Sequence, residues 1–229
     1  FVLLVPFFIA SCLRGKLHFF IILFLGLCCG IFYWSDNQAT KLSLIIMALA
    51  TIGSLPFLQR IAMRTVFITL ACLFVLMPWI APILYDGVAI PARGESSVLW
   101  EASVPQRLEI WDFISRRIME NPITGFGVDA TRSITDFDST TTYFPTNHIL
   151  HPHNTPLQLW IEFGVFGIAF ALSLLALAYH ALMGLAVKDR AVPFITFCGV
   201  MVFLMVSWSL WSSWLIATLF LLTALMSCL

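Results

Sequence analysis

Charged residues are scarce in this sequence. Only 10% of the 229 residues are Asp, Glu, Lys or Arg, and 60% are hydrophobic, whereas a soluble domain averages roughly 25% charged residues. This shortage excludes an ordinary soluble domain and predicts a polytopic helical membrane protein. The 12 basic and 12 acidic residues balance to zero net charge, so no basic excess indicates nucleic acid as a partner.

Cysteine is missing from the long polar segment of the chain. All six cysteines fall in apolar segments, where we expect small packing residues rather than a disulfide framework. The sequence also lacks an initial methionine and a basic leader, and it begins and ends inside apolar runs. We therefore expect no signal peptide, and we expect the chain to be a piece of a longer membrane protein.

Long apolar runs are what the sequence has in abundance. A membrane-spanning helix needs about 20 apolar residues. The apolar runs of this sequence predict an all-α fold, a bundle of transmembrane helices at 1–84 and 156–229 with a long polar loop at 85–155. The candidate spans are Leu17–Trp34, Leu42–Leu58, Thr65–Leu84, Pro156–Leu185, Ala191–Trp208 and Trp211–Leu229.

The basic residues of the short turns predict the orientation of the bundle. Three turns that fall on one side of the predicted bundle are basic, whereas the opposite short loop has only Lys41. By the positive-inside rule these basic turns are cytoplasmic, which places the long loop in the periplasm. The basic residues of the three turns are Arg14 and Lys16, Arg60 and Arg64, and Lys188 and Arg190.

Within the long loop, Pro105–Glu120 has the pattern of an amphipathic helix, with a proline at its start and Asn121-Pro122 at its end. We expect it to lie along the membrane surface or to cap the bundle. We also expect Arg116 to pair with Asp112 and with Glu120 at i,i+4 spacing. The predicted apolar stripe is Trp111, Ile114 and Ile118, and the predicted solvent face is Glu109, Asp112, Arg116 and Glu120.

Arg107 does not fit the pattern of this helix. Its angular position lies within the apolar stripe, between Ile114 and Trp111. A guanidinium directed into a packed face needs an anionic partner. The alternative is an arginine that extends to a lipid headgroup while its stem stays in apolar surroundings. We take Arg107 as a candidate catalytic residue.

A histidine and an asparagine precede the longest apolar run. Thr155-Pro156-Leu157-Gln158 has the form of a capping box with proline at the first helical position, so we expect the helix to begin at about Pro156. His153 and Asn154 then lie just outside it. An imidazole can act as a general base, and backbone N–H groups at a helix start can bind phosphate oxygens.

Further polar residues near this position are candidates for substrate binding. Gln158 and Glu162 lie on one face of the same helix, where a carboxylate is costly unless it is paired or hydrated. A buried hydrogen bond between helices is an equally good interpretation of Glu162. Lys41 lies in the first turn of a span on the exterior side, where the helix dipole and the positive-inside rule disfavour a cation, which suggests use against phosphate. A lysine that extends to a lipid headgroup is an equally good interpretation.

A metal site is the weaker interpretation of the remaining residues. Three histidines, His148, His151 and His153, lie close together, but their spacing matches no closed zinc pattern. Asp136 and Asp138 resemble the aspartate pair of many sugar-nucleotide transferases, although a solvated turn is the better interpretation. We predict that no metal is bound, and we assign His151 to substrate binding.

These residues together resemble the O-antigen ligase and polymerase superfamily. The first matching feature is His153-Asn154, followed after nine residues by Gly164 and then by Gly167. The second is Arg107 followed by Ile110-Trp111, and the third is Asn121-Pro-Ile-Thr-Gly125-Phe-Gly127. The long exterior loop between spans agrees as well. The chain resembles about the C-terminal half of the family.

The resemblance implies a membrane glycosyltransferase with a GT-C-like fold in the bacterial inner membrane, with its active site facing the periplasm. The donor would be a glycan on undecaprenyl diphosphate, and the acceptor a lipid A-core sugar in a ligase or another lipid-linked repeat unit in a polymerase. The family's histidine and loop arginine correspond to His153 and Arg107. A second family arginine has no match here, and Lys41 is the nearest cation. No cofactor is implied.

Several other activities remain open at this point. Transporters usually have ionisable residues near the bilayer midplane, whereas the spans here have few besides Glu162 and His180. An intramembrane protease lacks support, because there is neither a Gly-x-Ser-x-Gly motif nor an aspartate pair in the spans. A non-catalytic scaffold gives no reason for Arg107 on an apolar stripe. Ligase, polymerase and transfer to protein are not separable from these residues.

Overall fold

The computed structural model describes residues 30, 33, 38–89, 104–134, 149, 151–206 and 209–227. The described residues are helical or irregular and contain no β-strand, which confirms the all-α prediction. The six longer helices are α1 (Gln38–Gly53), α2 (Gln59–Leu84), α3 (Val104–Ile118), α4 (Thr155–Gly184), α5 (Ala191–Val206) and α6 (Ser213–Ser227). Short turns of π or 3₁₀ helix lie at Tyr85–Ala89, Ala130–Ser133 and Val187–Asp189.

Three of the predicted spans are long and apolar enough to cross a membrane. These segments are Gln59–Ala89, Thr155–Gly184 and Val187–Val206. Each segment has at least 20 residues, and 20 helical residues extend about 30 Å, the thickness of the bilayer core. The corresponding apolar runs in the sequence predicted all three.

Two other predicted spans differ from the structure. The span predicted at Leu42–Leu58 is replaced by α1, which ends at Gly53 and has only 16 residues. The span predicted at Trp211–Leu229 begins two residues later, at Ser213. Both helices are shorter than a typical membrane span. The span predicted at Leu17–Trp34 lies almost wholly outside the described residues.

The described residues divide into two compact units. Unit 1 contains residues 38–67, 177–206 and 212–227, and unit 2 contains residues 68–89, 104–134, 151–176 and 209–211. In unit 1, α1 packs against α5, and the Ser43 hydroxyl donates to the Gly199 carbonyl at 3.4 Å. Small side chains at such a contact allow two helices to approach closely.

Two basic turns of unit 1 lie at the same end of its helices. The Gln59 side-chain amide donates to the Val187 carbonyl at 3.2 Å. Gln59 precedes Arg60, and Val187 precedes Lys188. This contact agrees with the prediction that the turns after α1 and α4 share one side of the membrane.

Unit 2 contains the helix of the long loop and the first part of α4. The Trp160 indole N–H donates to the Phe74 carbonyl at 2.9 Å, which ties α4 to α2. The first turns of α3 pack against the π-helical turn Tyr85–Ala89 through a small apolar cluster that includes Ala89 and Leu108. The segment Asn121–Gly127 follows α3 and is called the glycine loop below.

The helix predicted at Pro105–Glu120 is confirmed by α3, but its predicted solvent face is not. Glu109 and Asp112 are buried, at 2% and 8% exposure, and do not face solvent as predicted. Arg116 pairs with Asp112 at 2.9 Å, as predicted. Glu120, however, pairs with Arg117 rather than with Arg116. The prediction failed because α3 is covered on more than one side.

Large apolar side chains remain exposed along the long helices. A soluble protein rarely exposes such continuous apolar surface, whereas a membrane-spanning helix presents it to lipid. The exposed residues include Ile61, Ile68 and Ile83 on α2 and Phe166, Phe170 and Leu177 on α4.

Candidate active site

Arg107 lies in the first turn of α3, half-buried beside the apolar cluster that joins this helix to the end of α2. Burial lowers the pKa of Arg107 from its usual value. The guanidinium remains cationic, because an arginine pKa far exceeds physiological pH. A partly desolvated cation of this kind attracts an anion more strongly than one in bulk water.

Trp111 connects α3 to the segment before α4. Its indole N–H donates to the Pro152 carbonyl at 2.8 Å. Trp111 lies one helical turn after Arg107, so the two side chains emerge on the same side of α3. Pro152 directly precedes His153. The hydrogen bond therefore brings the arginine helix and the histidine to the same part of unit 2.

The segment His151–Asn154, called the histidine turn below, holds two imidazoles together. The His151 and His153 rings have centroids 4.0 Å apart. His153 has φ of 52°, in the left-handed region. A non-glycine residue in this region stores strain, which occurs often at functional sites.

The surroundings of the histidine turn are basic. The pKa of His151 falls from 6.5 to about 4, first because of burial, then because of the positive charges at His153 and Arg132. Arg132 lies on the 3₁₀ turn after the glycine loop and also pairs with Asp129 at 3.0 Å. Arg132 thus supplies a positive charge near the turn, whereas His151, with a pKa of about 4, is uncharged at neutral pH.

The start of α4 differs from the predicted capping box. Asn154, not Thr155, caps the helix, because its Oδ1 accepts the Leu157 N–H at 3.0 Å. The helix begins at Thr155, and Asn154 is buried, at 2% exposure. Asparagine is among the best N-cap residues and competes with threonine for this position. The Thr155 hydroxyl is thereby left out of the cap.

Gln158 and Glu162 form a buried hydrogen-bond network. Gln158 Nε2 donates to Glu162 Oε1 at 2.9 Å and to the Ser209 hydroxyl at 3.0 Å. Gln158 Oε1 accepts the Leu210 N–H at 3.0 Å. The Trp211 indole N–H donates to both carboxylate oxygens of Glu162, at 3.1 and 2.9 Å. This network attaches residues 209–211 to the first turns of α4.

The glycine loop docks on a break in α4. Gly164 interrupts the helix with φ 58° and ψ −143°. A regular helix would supply N–H donors to the Ile161 and Glu162 carbonyls. Here the loop supplies them: Phe126 N–H donates to the Ile161 carbonyl at 2.8 Å, and Gly127 N–H to the Glu162 carbonyl at 2.9 Å.

Two glycines make this docking possible. A Cβ on Gly125, which has φ of 67°, would lie 2.5 Å from the Glu162 carbonyl carbon, and a Cβ on Gly164 would overlap the Ile123 carbonyl. Val165 N–H completes the contact by donating to the Pro122 carbonyl at 2.9 Å. A loop, rather than another helix, therefore occupies the side of α4 at Gly164.

Six of the seven predicted site residues lie in unit 2. Lys41 is the exception and lies on α1 in unit 1. The six in unit 2 are Arg107, His151, His153, Asn154, Gln158 and Glu162. Three other residues were named as metal candidates, His148, Asp136 and Asp138, and they lie outside the described residues.

Sequence reasoning missed several residues of the site. Arg132 and Trp211 were not singled out, because neither belongs to a helical stripe or a motif. Trp111 was recognised only as a member of the family motif and of the apolar stripe on the loop helix. Each becomes visible only through an interaction with a residue distant in the sequence, which for Arg132 is its electrostatic effect on His151. Among the described residues, no group of three or more His, Cys, Asp and Glu side chains has the arrangement of a metal site.

Comparison with known proteins identifies the family. A family model described as O-antigen ligase matches residues 1–172. A predicted polysaccharide ligase of Rickettsia prowazekii is 25% identical over 170 residues, which cover 72% of this chain and 42% of the relative. One from Rickettsia conorii is 26% identical over 173 residues, covering 73% and 42%. No solved structure matches the chain.

The fold and the site define a helical membrane protein with basic side chains gathered before a long apolar helix. The chain belongs to the O-antigen ligase family, because the family model covers three quarters of it. The resemblance found in the sequence is thus confirmed. The chain spans less than half the length of the curated relatives it matches.

Proposed function

We propose that this chain is part of a ligase-type glycosyltransferase that moves a glycan from undecaprenyl diphosphate to a hydroxyl of a lipid A-core sugar. The observation that supports this proposal is the hydrogen bond of Trp111 with the Pro152 carbonyl. It brings the Arg107 helix next to His153, so both side chains can contact one sugar diphosphate. Membership of the O-antigen ligase family supports a glycan substrate.

In this reaction the acceptor hydroxyl attacks the anomeric carbon of the donor sugar, and the bond from that carbon to the diphosphate oxygen breaks. Arg107 stabilises the charge that develops on the diphosphate. His153 accepts the proton of the attacking hydroxyl as a general base. Attack opposite the leaving group inverts the anomeric configuration.

The remaining predicted residues fall into two groups by their observed contacts. His151 lies against His153 and is proposed to contact the donor. Asn154 caps α4, and Gln158 and Glu162 bond to residues 209–211. For these three we propose that substrate binding depends mainly on the shape they give to the start of α4. Lys41 stays a prediction for the second phosphate contact.

We propose the bacterial inner membrane as the location, with the site facing the periplasm. The contact of Gln59 with Val187 supports this orientation, because it gathers two basic turns at one end of unit 1. The reaction is proposed to need no metal. Transfer by purified protein in a chelator should then equal transfer without it, and a reversible loss of activity would contradict this part of the proposal.

The central experiment deletes the gene and analyses surface lipopolysaccharide on a gel. Core without any attached chains indicates a ligase, core with a single repeat indicates a polymerase, and an unchanged ladder excludes both. Complementation with the His153→Ala variant should fail, since a general base contributes roughly 10²–10⁴-fold. The Arg107→Lys variant should also lose activity, because lysine lacks the bidentate guanidinium.

A matched control lies on the same helix as Arg107. Arg116 is also an arginine of α3, but its side chain is 71% exposed and pairs with Asp112. The Arg116→Lys variant should restore the wild-type ladder. Restoration by His153→Ala at equal membrane abundance would exclude the proposed role of the imidazole.

A further inference from the structure

The hydroxyl of Thr155 is a buried polar group that the fold does not satisfy. Thr155 is only 3% exposed, and its Oγ1 has no hydrogen-bond partner among the residues that the structure describes. Leaving a buried hydroxyl without a partner costs about 1–3 kcal/mol, so folded proteins seldom keep one without a reason. The position of Thr155, two residues after His153, suggests what the reason is.

The contacts at the start of α4 explain why this hydroxyl has no partner. The sequence predicts Thr155 as the N-cap of this helix. Asn154 has taken that role, because its Oδ1 accepts the Leu157 N–H. Pro156 has no N–H to offer or to be capped. The Asn154 cap therefore leaves the Thr155 hydroxyl without a role in capping the helix.

The groups around Thr155 indicate which kind of ligand its hydroxyl would bind. The histidine turn places two imidazoles 4.0 Å apart just before Thr155. The start of a 30-residue helix adds positive potential. Arg132 contributes a further positive charge near His151. A hydroxyl donor at a helix start, with an arginine nearby, suits an anionic oxygen, and helix starts commonly bind phosphate.

We propose that the Thr155 hydroxyl donates a hydrogen bond to a phosphate oxygen of the lipid-linked donor, at the start of α4 beside the histidine turn. This inference rests on the proposed function for the choice of donor. It adds a substrate-binding residue that neither the family motif nor the helical pattern indicates.

The test uses the full-length protein in detergent and measures its thermal unfolding with and without ligand. The probes are undecaprenyl diphosphate, undecaprenol without phosphate, and inorganic diphosphate. The Thr155→Val variant keeps the shape of the side chain and removes the hydroxyl. Thr155→Ser keeps the hydroxyl and serves as the conservative variant.

We expect undecaprenyl diphosphate, but not undecaprenol, to raise the Tm of the wild-type protein. Without ligand, Thr155→Val should unfold at the same or a higher temperature, because an unsatisfied hydroxyl has been removed. It should bind undecaprenyl diphosphate about tenfold more weakly and lose most of the Tm increase, whereas Thr155→Ser keeps it. An increase with inorganic diphosphate would support the phosphate contact without the lipid.

Thr196→Val is the matched control. Thr196 is an equally buried threonine, but its hydroxyl already donates to the Val192 carbonyl at 2.9 Å. This variant should keep the full response to undecaprenyl diphosphate.

Three results would overturn the inference. They are an unchanged response in Thr155→Val, a lower ligand-free Tm in that variant, and a wild-type protein that does not respond to undecaprenyl diphosphate. None of these measurements depends on transfer to lipid A core. A protein that binds the donor phosphate but does not restore the ladder would contradict the proposed function alone.

Discussion

The indole of Trp111 and the carbonyl of Pro152 are joined by a 2.8 Å hydrogen bond across 41 residues of sequence. One partner belongs to the helix of Arg107, and the other directly precedes His153. The contact therefore keeps the helix that carries Arg107 next to the turn that carries His153. It also holds the strained backbone of His153, whose φ is 52°.

We predict that Trp111→Phe lowers the rate constant of transfer while the KM for the lipid-linked donor stays near the wild-type value. Phenylalanine preserves apolar packing but cannot donate to Pro152, so the imidazole loses its fixed position. A displacement of about 1 Å can cost about 10²-fold in rate. The measurement is steady-state transfer by purified protein.

Trp160→Phe provides the control for this prediction. Trp160 also donates to a carbonyl, that of Phe74 at 2.9 Å, but it ties two spans together. Its loss should lower the Tm and leave the rate constant per folded molecule unchanged. Equal rate constants for wild type and Trp111→Phe would show that the contact does not position His153.

Gly164→Ala should destabilise the protein by more than about 2 kcal/mol, because alanine is strained at this backbone conformation and its Cβ would overlap the Ile123 carbonyl. We expect a lower Tm and loss of protein from the membrane. Gly184→Ala is the control, since a Cβ at Gly184 meets no atom within 4 Å. Equal Tm values for the two variants would contradict the docking of the glycine loop.

Arg132→Gln should raise the pKa of His151 above its value of about 4. The loss of a nearby positive charge favours the protonated imidazole. The pKa should stay below 6.5, because burial, the larger cause, remains. Nuclear magnetic resonance of histidine-labelled protein measures the titration. An unchanged titration would place Arg132 too far from His151 to act on it.

The same pKa shift predicts how stability depends on pH. A histidine with a lowered pKa binds fewer protons in the folded state than in the unfolded state. The free energy of unfolding should therefore fall as the pH falls from 6.5 to about 4. Arg132→Gln should narrow the pH range over which the free energy of unfolding falls, because a higher pKa of His151 in the folded state raises the lower limit of that range. Thermal unfolding measured across these pH values tests the sign, and Arg116→Gln should leave the dependence unchanged.

Glu162→Gln should destabilise unit 2 by about 1–3 kcal/mol. The carboxylate accepts hydrogen bonds from Gln158 and from Trp211 on both oxygens. An amide offers one oxygen and places an NH₂ group among donors, so at least one buried N–H loses its acceptor. Thermal unfolding and Trp211 fluorescence report the change. Gln38→Glu, an exposed exchange on α1, should alter neither.

The sequence by itself determined the long helices and the candidate residues near them. Apolar length decides whether a segment forms a membrane-spanning helix, and length is a local property of the chain. α4 therefore begins within one residue of its predicted start and ends within one of its predicted end. The family motif likewise singled out Arg107 and His153 from residue types and spacing.

The tertiary structure alone decided how these residues meet. The hydrogen bond of Trp111 with Pro152, the docking of the glycine loop at Gly164, and the burial of Glu109 each depend on segments far apart in the chain. Helical periodicity reports which side of a helix is apolar but not what covers the other side. The choice of Asn154 over Thr155 as the N-cap depends on local backbone angles. Both side chains suit an N-cap, so the residue types alone do not predict which of them caps the helix.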